Sequence, residues 1–222
     1  MHADTNIVHP AAPVDPAQLF ESLHRLPVAI LSDSLLRLRG CVGLQPLGAP
    51  VKLVGTAMTV KTRPGDNLLI YKAIMLLQPG HVLVVDGAAD STNALVGDLI
   101  LRYARQRGCT GFVIDGAIRD RSAFTEAGFP CHARAVSHRG PYKNGPGHVN
   151  VPVTIGGQTV MPGDYVVADE DGVVSFSPSE AHSLVEAAHQ GLMRERAIAE
   201  EIATGRVAQA WLDKVLAPHG LA

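Results

Sequence analysis

Cysteine is scarce in this chain of 222 residues. Cys41, Cys109 and Cys131 are the only three, and no CxxC spacing occurs. That excludes a disulfide scaffold and leaves the three as free packing or loop residues of a reducing compartment. Charge of one sign is also missing. Nineteen Lys and Arg stand against twenty-one Asp and Glu, a formal net charge of -2. A protein that works mainly by gripping phosphate backbones would carry more cations, so no nucleic-acid partner is expected. No apolar run is long enough to span a membrane. The opening stretch, MHADTNIVHPAAPVDPAQLF, lacks a basic flank followed by an apolar core, so no signal peptide is expected. The expectation is a soluble, cytoplasmic protein.

Familiar catalytic phrases are absent too. There is no GxGxxG after a strand, no GxxxxGK[ST], no HExxH and no GxSxG, which removes the sequence anchor for nucleotide, zincin and hydrolase-elbow readings. His132, His138 and His148 follow no standard zinc spacing, and no cysteine pair completes them.

What is present is an alternating pattern. With 46% apolar residues the chain has material for a real core. The N-terminal stretch reads as a loose arm punctuated by prolines, available to lie on a neighbour, and a first helix is predicted over about 15–26. A second is predicted from Ser32, whose hydroxyl would cap it, with Gly40 as its stop. VKLVGTAMTVKT (51–62) reads as a strand with a glycine break. RPGD (63–66) is a turn, and NLLIYKAIMLL (67–77) is a helix that Asn67 would cap. VLVVDGAA (82–89) and GFVIDGAI (111–118) are near-repeats, each a β-branched run closing on Asp-Gly. With a helical pattern between them stopped by Gly108, they predict a right-handed βαβ unit that puts Asp86 and Asp115 at one sheet edge. The segment 137–150, with three glycines and two prolines, must be an irregular loop. VPVTIGGQTV and DYVVADEDGVVSFS read as antiparallel hairpins. The tail is helical from Pro178 to about Leu216, broken near Gly205. The fold class is α/β, a single layered domain with a parallel βαβ core, a mixed β region and a C-terminal helix.

Chemistry concentrates at Arg119–Asp120, just past the second Asp-Gly strand. Open α/β sheets carry their sites beyond the carboxyl ends of the strands. In ALVGDLILRYARQRG the helix either starts before Gly97 or begins near Asp98. The second version frees the Leu99 and Ile100 N–H groups at a helix N-terminus, which bind a carboxylate without any side chain. Asp98 and Asp120 would then end neighbouring strands beside Arg119. Carboxylate oxygens suit a hard divalent ion such as Mg²⁺. A 2-oxo acid would chelate that ion, and the ion would stabilise an enolate as a C–C bond breaks. Arg119 would add fixed positive charge there. Lys61 and Lys72 need no catalytic role in such chemistry. Asn67, Lys72, Arg139 and Lys143 are candidates for contacting a distal carboxylate.

The phrases TRPGDN (62–67), QPGHVLVVDG (78–87), VGDLI (96–100), GFVIDGAIRD (111–120), RGPYKNGPGHVNVPV (139–153) and PGDYVVADEDGVV (162–174) carry a resemblance. They are similar to the class II pyruvate aldolase family of 4-hydroxy-4-methyl-2-oxoglutarate aldolases, which also contains the RraA-type regulators of ribonuclease E. It runs from about Ser32 to Ser177. It implies an RraA-like, swivelling β/β/α fold over 27–177, an N-terminal arm and helix over 1–26, and a helical extension over 178–222 that packs on a neighbouring subunit.

The resemblance also implies roles. The family's glycine, twenty-one residues and Arg-Asp are met by Gly97 and Arg119–Asp120. Asp120 would ligate Mg²⁺ or Mn²⁺, with no organic cofactor, and Arg119 would hold the substrate. Asp98 would bind a metal-coordinated water, and the Leu99 and Ile100 amides would take the pyruvyl carboxylate. A glutamate from an adjacent subunit's C-terminal helix completes the family's site. Glu195, 75 residues beyond Asp120, is the candidate, with Glu200 and Glu201 nearby. Ala123 stands where the family usually has an acid, and Glu126 could substitute only in part. The implied activity is cleavage of 4-hydroxy-2-oxo acids to pyruvate and a second 2-oxo acid, with oxaloacetate decarboxylation. The implied assembly is a homotrimer or homohexamer. The alternative is a non-enzymatic regulator of a ribonuclease. Menaquinone methyl transfer has no glycine-rich cofactor loop to support it.

Overall fold

The computed structural model describes residues 6–14, 17–205 and 209–221. Among the described residues, eleven strands and seven α-helices form a layered α/β domain. In order they are β1 (Ile7–Val8), α1 (Ala17–His24), α2 (Val28–Ser34), β2 (Gln45–Pro46), β3 (Leu53–Thr62), α3 (Leu68–Leu76), β4 (His81–Val96) and α4 (Asp98–Gln106). Then follow β5 (Gly111–Ile118), α5 (Arg121–Glu126), β6 (Cys131–Val136), β7 (Gly147–Val149), β8 (Val153–Ile155), β9 (Gln158–Val160), β10 (Tyr165–Asp169), β11 (Gly172–Phe176), α6 (Pro178–Ala203) and α7 (Ala210–Leu216). No described helix is long and apolar enough to cross a membrane.

The main sheet runs β1-β7-β3-β4-β5-β6-β2, with β10 and β11 joined at β3. Strands β3, β4, β5 and β6 are parallel neighbours, as the βαβ pattern requires. One edge of β3 is shared: β10 pairs with Leu53–Thr56 and β7 with Val60–Thr62, both antiparallel. Apolar alternation splits the core into two faces. Phe112, Ile114 and Ile118 of β5 pack under α3, α4 and α5 with Phe124 and Phe129. Val113 of β5 faces the other way, with Val153, Ile155 and Val160 of the β8–β9 hairpin. A separate cluster joins α1 and α2 to β10, β11 and the first half of α6 through Leu23, Leu31, Tyr165, Phe176 and Leu184.

Several local expectations are corrected. Ser32 lies inside α2 and caps nothing. The helix starts at Val28, after Pro27 presets the backbone, and the Val28 N–H donates to Asp169 Oδ2 at 2.8 Å. Asn67 does not cap α3 with its side chain; Asp66 Oδ1 accepts the Leu68 N–H instead, at 3.0 Å. Gly55 does not break β3. It sits where a Cβ would come within 2.5 Å of the Gly80 carbonyl, so a close backbone approach explains it.

The Asp-Gly phrases do not end their strands either. β4 continues through three register shifts to Val96, helped by Ala88 and Ala89 in left-handed conformation, and β5 continues to Ile118. Asp86 and Asp115 do pair across the sheet, but in mid-strand. Finally, residues 6–12 lie on their own chain. β1 pairs with β7, and the His81 ring meets the Ala12 carbonyl at 2.9 Å.

Candidate active site

The carboxyl edge of the parallel strands falls one step later than the Asp-Gly repeats, at Gly97 after β4 and Arg119 after β5. The Arg119 N–H donates to the Val96 carbonyl at 3.0 Å, which joins the two strand exits. Gly97 is extended, and α4 begins at Asp98, so the later of the two helix starts is the one found. A Cβ on Gly97 would lie 2.6 Å from Asp120 Oδ2 and 2.8 Å from Arg119 Cγ. Only a glycine lets Arg119 and Asp120 close over this turn.

Asp120 occupies the left-handed region (φ 55°, ψ 41°), a conformation that aspartate tolerates better than most residues. Its Oδ2 accepts the Asp98 N–H at 3.1 Å and lies 3.5 Å from Arg119 Nε. The side chains of Arg119 and Asp120 are 43% and 45% exposed, so both face solvent at the strand ends. The first turn of α4 leaves the Leu99 and Ile100 N–H groups without intrahelical partners, and the helix dipole adds positive potential. Gly97, Leu99, Ile100 and Arg119 line one side of a small cleft of about 40 Å³; Pro141 and Lys143 line the other.

The Asp98 side chain turns the other way. Arg102 Nε, one turn along α4, donates to its Oδ1 and Oδ2 at 2.8 and 2.9 Å. This pair borders a groove of about 590 Å³ between α4 and α5, lined also by Arg105, Ala123 and Glu126. Thus Glu126 shares a groove with Ala123 and Asp98. Arg102 escaped the sequence reading, although the i,i+4 spacing of Asp98 and Arg102 was available to find it.

Other expected participants lie elsewhere. Glu195 sits on α6 in a groove against α2 with Asp33 and Arg37, sharing no lining residue with the cleft. Lys72 is exposed on α3 and Arg139 lies in the loop, neither of them lining the cleft. Asn67 does line it, with Nδ2 donating to the Leu95 carbonyl at 3.0 Å. His132 is buried in β6 with Nε2 2.8 Å from the Asp169 carbonyl, and His138 is exposed.

Among the described residues, no group of three His, Cys, Asp or Glu side chains converges as a metal cage. Asp120 nevertheless fits a hard cation. Its Oδ1 makes no hydrogen bond among the described residues, and the group is open to solvent. Mg²⁺ keeps several waters and accepts one or two carboxylates, whereas structural zinc needs four protein ligands. The three cysteines are all buried free thiols; burial pushes those of Cys41 and Cys109 up to about 12 and that of Cys131 further, so none serves as a soft ligand.

Residues 28–175 match the model of the RraA-like family, described as Aldolase/RraA. A protein of Halalkalibacterium halodurans named "Putative 4-hydroxy-4-methyl-2-oxoglutarate aldolase" is 36% identical over 198 residues, 87% of this chain and 93% of that protein. RraAS2 of Streptomyces coelicolor, described as an unusual member of the RNase ES inhibitor RraA protein family, has a similar structure. Its TM-score is 0.73 at 30% identity, covering 82% of this chain and 96% of that one. The RNA-processing inhibitor RraA from Thermus thermophilis gives a TM-score of 0.62 at 31% identity, covering 68% of this chain and 92% of its own. With the βαβ edge, the Gly97 turn and the Arg119–Asp120 pair in place, the chain belongs to the RraA-like, Aldolase/RraA family.

Proposed function

We propose that the protein is a lyase that splits 4-hydroxy-2-oxo di- or tricarboxylic acids, of the 4-hydroxy-4-methyl-2-oxoglutarate type, into pyruvate and a second 2-oxo acid. It would also decarboxylate oxaloacetate. The carrying observation is the grouping of Arg119, Asp120 and the open first turn of α4 around Gly97.

In this reading the Leu99 and Ile100 amides receive the pyruvyl carboxylate at the positive end of α4. Arg119 sits beside the 2-oxo group, where its charge meets the negative charge that develops there. Asp98 would hold a water that takes the 4-hydroxyl proton, a role that requires its carboxylate to leave Arg102 and turn toward the cleft. As that proton leaves, the C3–C4 bond breaks, its electron pair passes to C3, and C4 becomes the new carbonyl. Protonation at C3 then gives pyruvate. Oxaloacetate reaches the same enolate by losing CO₂ across C3–C4. Asp120 would hold Mg²⁺ or Mn²⁺, which supplies Lewis-acid stabilisation of the enolate charge.

Glu195 lies away from its own cleft, so it would serve the cleft of a second copy in a closed trimer or hexamer, with 178–222 as the exchanged element. A stable, active monomer in sedimentation would remove Glu195 from the site.

The similarity to RraAS2 supports a second reading, a non-enzymatic regulator that binds a ribonuclease. Purified protein with Mg²⁺ or Mn²⁺ should release pyruvate from oxaloacetate and from 4-hydroxy-4-methyl-2-oxoglutarate. No pyruvate from either, together with co-purification of a ribonuclease, would reverse the choice.

A further inference from the structure

The carboxylate that the proposed chemistry asks to hold a water is engaged elsewhere. Arg102 Nε donates to Asp98 Oδ1 at 2.8 Å and to Oδ2 at 2.9 Å. This clasp involves the Asp98 side chain alone. Its N–H stays on Asp120 Oδ2 at 3.1 Å, so a turn about the Cα–Cβ bond carries the carboxylate toward the cleft while α4 keeps its start.

Such a turn leaves the guanidinium in need of another acceptor. Arg102 borders the groove of about 590 Å³ between α4 and α5, and Glu126 borders it from α5. Glu126 is exposed and has no hydrogen bond or ion pair among the described residues. Ala123, on the same wall, offers no competing acceptor. The hydrogen bond to Asp98 and the charge of Asp98 raise the Arg102 pKa, and the charge of Glu126 adds to them. Glu126 is thus near enough for Arg102 to feel it, and it is unused.

Magnitudes make this a shift of populations rather than a lock. The Arg102 side chain is 71% exposed and that of Asp98 30%. An exposed ion pair at i,i+4 spacing biases an equilibrium by about two-fold. Exposed side chains also change rotamer far faster than an enzyme turns over. Arg102 therefore sets how often Asp98 is available, not how fast it moves.

We propose that Arg102 is a positioning residue that exchanges between two carboxylates. On Asp98 it withholds that side chain from the cleft; on Glu126 it releases it. The task given to Asp98 rests on the lyase reading, but the exchange itself does not.

The test uses full-length wild type, Arg102→Gln, Glu126→Gln and the double variant; both side chains are exposed, so all four proteins should fold. With Mg²⁺ present, kcat for 4-hydroxy-4-methyl-2-oxoglutarate should rise about two-fold in Arg102→Gln and fall about two-fold in Glu126→Gln, with KM little changed. The Glu126→Gln loss should vanish in the double variant, which has no guanidinium to receive. A plain effect of charge on an anionic substrate has the opposite signs, since Arg102→Gln removes a cation and Glu126→Gln an anion. Oxaloacetate decarboxylation removes no hydroxyl proton and should respond less. Apart from turnover, the Arg102 Nε–H signal in ¹⁵N nuclear magnetic resonance, assigned by its loss in Arg102→Gln, should shift when Mg²⁺ and pyruvate are added to wild type. In Glu126→Gln it should shift much less. Glu126→Gln as active as wild type, an equal loss with and without Arg102, or equal responses of the two reactions overturns the exchange. A Glu126-dependent shift with no pyruvate-forming turnover in any of the proteins would sink the lyase and leave the exchange standing. Neither turnover nor shift overturns both.

Discussion

Two aspartates five positions apart at the same strand are treated in opposite ways. Asp115, in the middle of β5, is buried; its Oδ1 is paired with Arg134, and its Oδ2 accepts the Gly156 N–H at 3.4 Å. Asp120, just beyond the strand, is nearly half exposed in a left-handed turn, with one oxygen held by the Asp98 N–H and the other open. Both follow near the end of a β-branched run, and the sequence reading gave both a place at the sheet edge. The saturated carboxylate holds the fold. The open one retains the capacity to bind something.

The sharpest way to break this contrast is to remove the open carboxylate. Asp120→Ala should lower pyruvate formation from oxaloacetate on the order of 10³-fold or more, the loss of several kcal/mol of charge stabilisation. Its thermal midpoint should fall only slightly in calorimetry, since the half-exposed side chain gives up one hydrogen bond, from the Asp98 N–H, and a long contact with Arg119. Arg119→Ala should cost on the order of 10²–10³ in kcat for both reactions, because they share one enolate. A defect in one reaction alone would separate Arg119 from the shared step.

Asp115→Ala should do the reverse. Removing one partner of a fully buried pair costs roughly 3–5 kcal/mol, and the exposure of a quarter of the Arg134 side chain lowers the expectation to about 2 kcal/mol. Urea unfolding reads that loss; turnover per folded molecule should be nearly unchanged. Should Asp115→Ala instead abolish turnover at full stability, the division of roles between the two aspartates is wrong.

The smallest effect concerns His81, another saturated interior group. Its Nδ1 accepts the Gln78 N–H at 2.9 Å, and its Nε2 meets the Ala12 carbonyl at 2.9 Å, so the neutral ring is fully used. Burial lowers its pKa below the ordinary value, against the opposing pull of the Ala12 carbonyl; His132 is lowered for the same first reason. Between the folded pKa and about 6.5 the unfolded chain therefore binds more protons. Stability should be fully present above pH 6.5 and decline as pH falls below it, by at most about 1.4 kcal/mol per unit for each histidine. Urea midpoints at pH 7.5 and 5.5 measure this; equal midpoints would contradict it.

Local pattern carried most of the architecture. The β-branched runs, the helix between them and the glycines at 108 and 205 are short-range signals, and the elements appear where those signals put them. Two features that the sequence does not show depend on long-range bonding. The cap of α2 comes from Asp169, 141 residues away, and the bond that fixes Asn144 comes from Asp66, 78 residues away. Neither spacing is visible as a motif. The extension of β4 past Asp86 depends on bulges at Ala88 and Ala89, residues with no turn signature of their own. The position of Arg119 and Asp120 at the strand exit was legible because an Arg-Asp pair follows a buried run, whereas the i,i+4 spacing of Asp98 and Arg102 pointed to their clasp only once a helix start at Asp98 was chosen.

The central claim is that Asp120 is the carboxylate able to hold a hard cation. Manganese binding read by electron paramagnetic resonance tests it most directly, on wild type, Asp120→Ala and Asp115→Ala at equal folded concentration. The expected result is one saturable Mn²⁺ site in wild type, its affinity kept in Asp115→Ala and reduced on the order of 10²-fold or more in Asp120→Ala, a loss of several kcal/mol. Undiminished Mn²⁺ affinity in Asp120→Ala would contradict the claim and leave the turn after β5 as a turn only.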